Sequence, residues 1–372
     1  MTKEELYQEI AKLGPEMSAG ERMMKYFTGQ EADCQPYITM MFDATFAKMW
    51  GYDMSKLNDI DTLCELVERK RDEYGMVGLG TQMNLRTLGE AVGSVLHYPG
   101  DGRTEYITDH FLKDYSQLKE LEELDVRTNP VLNGLVQKAK KLKERFPMYP
   151  LSSGCPGPIS SASSVRAVEL LLRDVRKDPD NLHKLLDLCV TKSLEWLRYL
   201  HEEVGIGSAT IFDPVSSTDV LGKKYYAEFS KPYFKCLFDG ITEIIGRKPT
   251  VHICGHTKGI WGDLVEMGVQ SFSVDDRENI VELKEMYGDK MMIVGNVSPV
   301  DVLRNGTIDD VIEEVKKQLR QGADSPRGYM IAPGCEVPLA TPKENLDAFL
   351  YAIRKYGAGA KMGCLPKGLE NA

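Results

Sequence analysis

The sequence predicts an α/β chain, a single (β/α)8 TIM barrel over residues 1–372 that includes a helical extension over residues 1–35. Three observations predict it. From about residue 145 onward, short runs rich in Val, Ile, Met and Phe alternate with long amphipathic stretches, as expected for parallel strands joined by helices. Each run stops at Gly, Pro, Asp or Asn, residues that end strands. Polar residues collect where the runs stop, and in a barrel those ends face one mouth, where active sites are built.

Residues 1–35 are polar with helical spacing, and residues 56–75 read as a further helix. The predicted strands lie in 76–82, 148–154, 208–215, 249–255, 269–276, 291–297 and 329–338. An eighth, within 36–45 (PYITMMFDAT), would close the barrel. Residues 309–321 place Val311, Ile312, Val315 and Leu319 on one helical face, acids first and bases later, with Gly322 as a stop. Thr341-Pro342-Lys343-Glu344 reads as a capping box with proline at the first helical position. No G-x-G-x-x-G follows any of the runs, which weakens the alternative of an open, dinucleotide-binding sheet.

The chain has 372 residues, 42% hydrophobic, enough for a sizeable core. A net charge of -10 repels a phosphate backbone, so nucleic acid is not an expected partner. The first residues carry acids and lack an apolar signal-peptide core, and no run of about 18 apolar residues occurs; the chain is read as cytoplasmic. The eight cysteines form no regular framework, so each is read as core filler or as a chemical group rather than as half of a disulfide.

The strand ends carry Asp213, then His252 and Cys254, then Asp275 and Asp276, Asn296, and finally Cys335 and Glu336. His252-x-Cys254 puts two ligands on one side of a strand. Cys335 follows at the end of another strand. One imidazole and two thiolates suit zinc and leave a fourth position open for chemistry. The competing reading of each cysteine is a small buried hydrophobe. Asp213 is a candidate catalytic group or fourth ligand, unless Asp213-Pro214 only turns the chain. Asp275 would orient His252 or form an exposed pair with Arg277. Glu336 is a lesser ligand candidate. Asn296 would offer an amide to the mouth, Cys155 would touch substrate from a strand-end loop, and His256 reads as a loop residue.

The blocks 251–276 (VHICGHTKGIWGDLVEMGVQSFSVDD), 293–306 (IVGNVSPVDVLRNG) and 331–349 (IAPGCEVPLATPKENLDAF) resemble the uroporphyrinogen decarboxylase superfamily, and more closely its corrinoid-dependent methyltransferase branch. Blocks 154–163 and 89–101 carry a weaker likeness. The resemblance implies zinc held by His252, Cys254 and Cys335, and methyl transfer between a cobalt corrinoid such as methylcobalamin and a small molecule. No Asp-x-His-x-x-Gly corrinoid motif is present, so the resemblance implies a separate corrinoid-binding protein as partner. Residues 35–52 hold no arginine, unlike decarboxylases that grip substrate carboxylates there, and Asn84 stands near the place of their catalytic aspartate. Asn84 is thus a substrate-contact candidate, and decarboxylation is disfavoured. A zinc-dependent barrel hydrolase or lyase without corrinoid, and a non-catalytic binding barrel, are the other readings. The methyl donor or acceptor and the direction of transfer are left open, and residues 1–35 are a candidate dimer or partner surface.

Overall fold

The structure, a computed structural model, describes residues 1–99 and 104–370; the last two residues of the 89–101 block lie outside them. The strands are β1 (Leu79–Gly80), β2 (Val95–His97), β3 (Tyr106–Asp109), β4 (Leu151–Pro156), β5 (Ser208–Phe212), β6 (Thr250–Ile253), β7 (Ser271–Val274), β8 (Met292–Val294) and β9 (Tyr329–Met330). A seven-stranded sheet takes them in the order β1-β4-β5-β6-β7-β8-β9, while β2 and β3 pair as an antiparallel hairpin. All seven strand runs read from the sequence therefore fall in the sheet. No helix of the described residues is long and apolar enough to cross a membrane. The chain forms two compact units.

One unit comprises Asn58–Val67 and Val77–Val269. Its strands β1, β4, β5 and β6 are parallel and in step: Leu79 faces Leu151, Ser152 faces Ser208, and Phe212 faces His252. The helices Pro158–Val165, Pro179–Val204 and Lys231–Ile245 follow the strands. They bury Trp196, Phe234 and Phe238 almost completely, and Trp196 Nε1 donates to the Leu132 carbonyl at 3.0 Å, so the buried indole leaves no polar group unsatisfied. Cys155 lies inside β4 and not, as expected, on a loop.

The other unit comprises Met1–Leu57, Glu68–Met76 and Gln270–Ala372. Here β7 pairs with β8 and β8 with β9, all parallel. The eighth strand expected within 36–45 is reduced to a parallel bridge between Tyr37 and Ile331. The chain turns helical at Asp43 (Asp43–Met49), which limits pairing to that short stretch. The extension forms helices Lys3–Ile10 and Ala19–Phe27. Leu6 and Tyr26 are fully buried, and the Tyr26 hydroxyl accepts the Tyr329 amide at 3.0 Å.

Two local readings are corrected. Helix Ile308–Gly322 begins with a capping box between Thr307 and Asp310, but Gly322 is its last residue and not a stop beyond it. A Cβ there would lie 2.7 Å from the Tyr329 ring, so the glycine makes room for that side chain. Thr341 does not cap the final helix, Lys343–Tyr356, for which Pro342 is the N-cap and no side chain serves. The Thr341 hydroxyl instead donates to the Pro338 carbonyl at 2.8 Å.

Candidate metal centre

His252 is the third residue of β6 and 6% exposed. Cys254 follows where the strand ends, and Gly255 turns the chain with φ +76, a conformation that favours glycine. The loop beyond is pinned. Asp219 accepts from the His256 amide at 3.1 Å and pairs with its Nδ1 at 2.9 Å, while the Thr218 hydroxyl donates to the His256 carbonyl at 2.6 Å. His256 is thus the loop residue expected of it. The alternation of the strand aims both ligands one way, and His252 Nε2 lies 3.2 Å from Cys254 Sγ.

Cys335 sits in the segment that follows β9. Pro333 bridges to Val297, and the Gly334 amide donates to the Val297 carbonyl at 2.8 Å. A Cβ on Gly334 would lie 2.4 Å from the Asp276 amide nitrogen, so only glycine admits this approach beside the cysteine. One ligand atom each of His252, Cys254 and Cys335 lies within 4.8 Å of the other two. One nitrogen and two sulfurs at that spacing fit zinc.

The remaining candidates divide. Asp213 is fully buried, and Ser160 donates to Oδ1 through its amide (3.0 Å) and hydroxyl (2.6 Å), while the Ser216 hydroxyl donates to Oδ2 at 2.5 Å. Ser230 lies 2.8 Å from Ser216 Oγ. Burial pushes the Asp213 carboxyl up to about 6, against the pull of those hydrogen bonds. A Cβ on Gly157 would lie 2.3 Å from its carboxylate. The acid is more than a simple turn residue: it is enclosed at the N-terminal turn of helix Pro158–Val165, which favours its charge. The serines went unread in the sequence because Ser160 precedes Asp213 by 53 positions. The one signal was their place in the 154–163 block.

Burial raises the Cys155 thiol well above its ordinary range, with the Asp213 charge adding to it, so the side chain packs as a hydrophobe. Asp275 is 6% exposed, and its carboxylate accepts the Arg277 amide at 2.9 Å; the exposed pairing considered for it is not what forms. Asn296 spends both amide hydrogens on the carbonyls of Asp275 and Glu278, each at 2.8 Å. It ties that turn together instead of holding an N–H out to a ligand. Asn84 is exposed; its oxygen accepts from the Arg86 amide and the Thr87 hydroxyl, and its nitrogen donates to Glu105. Glu336 is exposed beside the half-buried Cys335.

The chain has counterparts among known proteins. The family model described as Uroporphyrinogen decarboxylase (URO-D) matches residues 18–356, and the chain belongs to that family. A methylcobamide:CoM methyltransferase of Methanosarcina acetivorans is 24% identical over 347 residues, covering 92% of this chain and 99% of the relative. A uroporphyrinogen decarboxylase of Pseudoalteromonas atlantica is 24% identical over 358 residues, covering 91% and 97%. Among solved structures, a methyltransferase from Methanosarcina mazei superposes with a TM-score of 0.75 at 23% identity, over 92% of this chain and 100% of that one. That likeness supports the (β/α)8 fold expected from the sequence and, at this identity, the fold alone.

Proposed function

We propose that the protein is a zinc-dependent methyltransferase that moves a methyl group between a cobalt corrinoid, carried on a separate protein, and a small substrate such as a thiol. The observation that carries this reading is the convergence of His252, Cys254 and Cys335 within 4.8 Å. Zinc held by these three would supply a Lewis acid able to lower the pKa of a substrate thiol. The residues do the positioning. Burial of His252 restricts its ring, and Gly255 with the Asp219–His256 pair sets the path of the chain leaving Cys254. The approach of Gly334 to Asp276 fixes where Cys335 begins.

Several relatives bear names of methylcobamide:CoM methyltransferases, which supports the corrinoid and the thiol together. The decarboxylase relatives favour a second reading, but residues 35–52 contain no arginine. That stretch instead exposes Ile38 and Phe42, at 39% and 42%, a poor grip for a polycarboxylate. The test is incubation of zinc-loaded protein with methylcobalamin and a panel of small thiols. Thiol-dependent consumption of methylcobalamin supports the reading. Zinc-loaded protein that leaves methylcobalamin untouched with every thiol, and that takes no methyl from methylated donors when Co(I) corrinoid is supplied, refutes it.

A further inference from the structure

A cleft of about 540 Å³ opens between helix Val168–Lys177 and the segment 218–225, within the range typical of small-molecule sites. Arg173, Arg176 and Lys177 line it; their i, i+3, i+4 spacing puts them on one helical face. Leu172 and Val220, exposed at 38% and 42%, give the lining an apolar part together with Tyr225. Lys177 and Arg176 have no carboxylate partner among the described residues. Arg173 lies 3.3 Å from Asp174, whose carboxylate is already held by Arg166 at 2.7 Å and Tyr115 at 2.9 Å. Asp219, the acid on the lining, pairs with His256. Arg176 donates from Nε to the Tyr225 hydroxyl at 2.7 Å, its guanidinium 5.6 Å from the ring centre. That contact orients the group while its terminal N–H fork stays open, the shape that recognises an oxyanion in two-point fashion.

We propose that this cleft binds a small amphiphilic anion, with a phosphate or sulfonate on Arg176, Arg173 and Lys177 and an apolar or aromatic body against Leu172, Val220 and Tyr225. The site is separate from the metal ligands and does not depend on methyl transfer. Its rim residues Thr218 and Asp219 are hydrogen-bonded to His256, two positions beyond Cys254, so an occupant lies one hydrogen-bonded step from the loop that carries a metal ligand.

Calorimetric titration with phenyl phosphate tests this, using phenol as the neutral control. The wild-type protein is expected to bind phenyl phosphate saturably, more weakly as salt rises, and phenol not at all. Arg176→Gln, an exposed position whose folding is checked by circular dichroism, should weaken binding by at least about tenfold. Cys335→Ala should bind as the wild type does. Absence of saturable binding at millimolar phenyl phosphate, unchanged affinity in Arg176→Gln, or loss of binding in Cys335→Ala, which would move the ligand to the metal centre, would each overturn the proposal.

Discussion

Strands β5 and β6 are paired neighbours, yet their C-terminal ends are finished in opposite ways. After β5, the Asp213 carboxylate is enclosed by three hydrogen bonds from Ser160 and Ser216 and backed by Gly157. At the end of β6, a nitrogen and a sulfur lie 3.2 Å apart and Cys335 joins them within 4.8 Å. Both ends look functional in the sequence because both carry ligand-type residues at a predicted barrel mouth. The difference lies in what the neighbours do. An acid that accepts three hydrogen bonds from buried serines is tied into the architecture, whereas soft donors brought to a common point could hold an ion.

Variants sharpen that contrast, beginning with the largest effect. Cys254→Ser should lose zinc and slow methyl transfer by more than about 100-fold, since even outer-shell changes at metal sites reach 10–100-fold. Its circular dichroism should match the wild type. Asp213→Ala should do the reverse: it strands the Ser160 amide and two hydroxyls in the interior, destabilising by roughly 3 kcal/mol, while zinc content holds. An Asp213→Ala protein of normal melting temperature that has lost its zinc would make the acid a ligand and erase the contrast. Gly157→Ala presses a methyl into the same carboxylate and should cost roughly 1–3 kcal/mol, read by denaturant unfolding. The smallest effect is expected from Asn84→Ala. Loss of its turn hydrogen bonds should cost about 1 kcal/mol with KM unchanged; a raised KM would place Asn84 against substrate.

The same contrast explains what was legible. Strand runs such as 208–215 and 269–276 announce themselves, because apolar runs cut off by Asp or Pro depend only on nearby residues. His252-x-Cys254 is legible for the same reason. Cys335 is less so: it stands 81 positions after Cys254, joined to it first by ligand chemistry at another strand end and then by the family resemblance. The readings that failed turn on contacts that the residue pattern does not display. Gly322 looked like a helix stop because Tyr329, the ring it accommodates, is invisible to local pattern. Thr341 looked like a cap until its hydroxyl turned to Pro338. The 36–45 stretch had strand-like composition, but Asp43 opens a helix and leaves a bridge at Tyr37. Asn296 looked like a mouth amide because its two carbonyl partners belong to the preceding turn.

The most direct test of the central claim is metal content in protein purified without added metal, wild type beside Cys335→Ala. The account predicts one zinc per wild-type chain and its loss in the variant, with the fold intact. A wild-type protein without zinc, or a Cys335→Ala protein that keeps it, would contradict the assignment of His252, Cys254 and Cys335 as the metal centre.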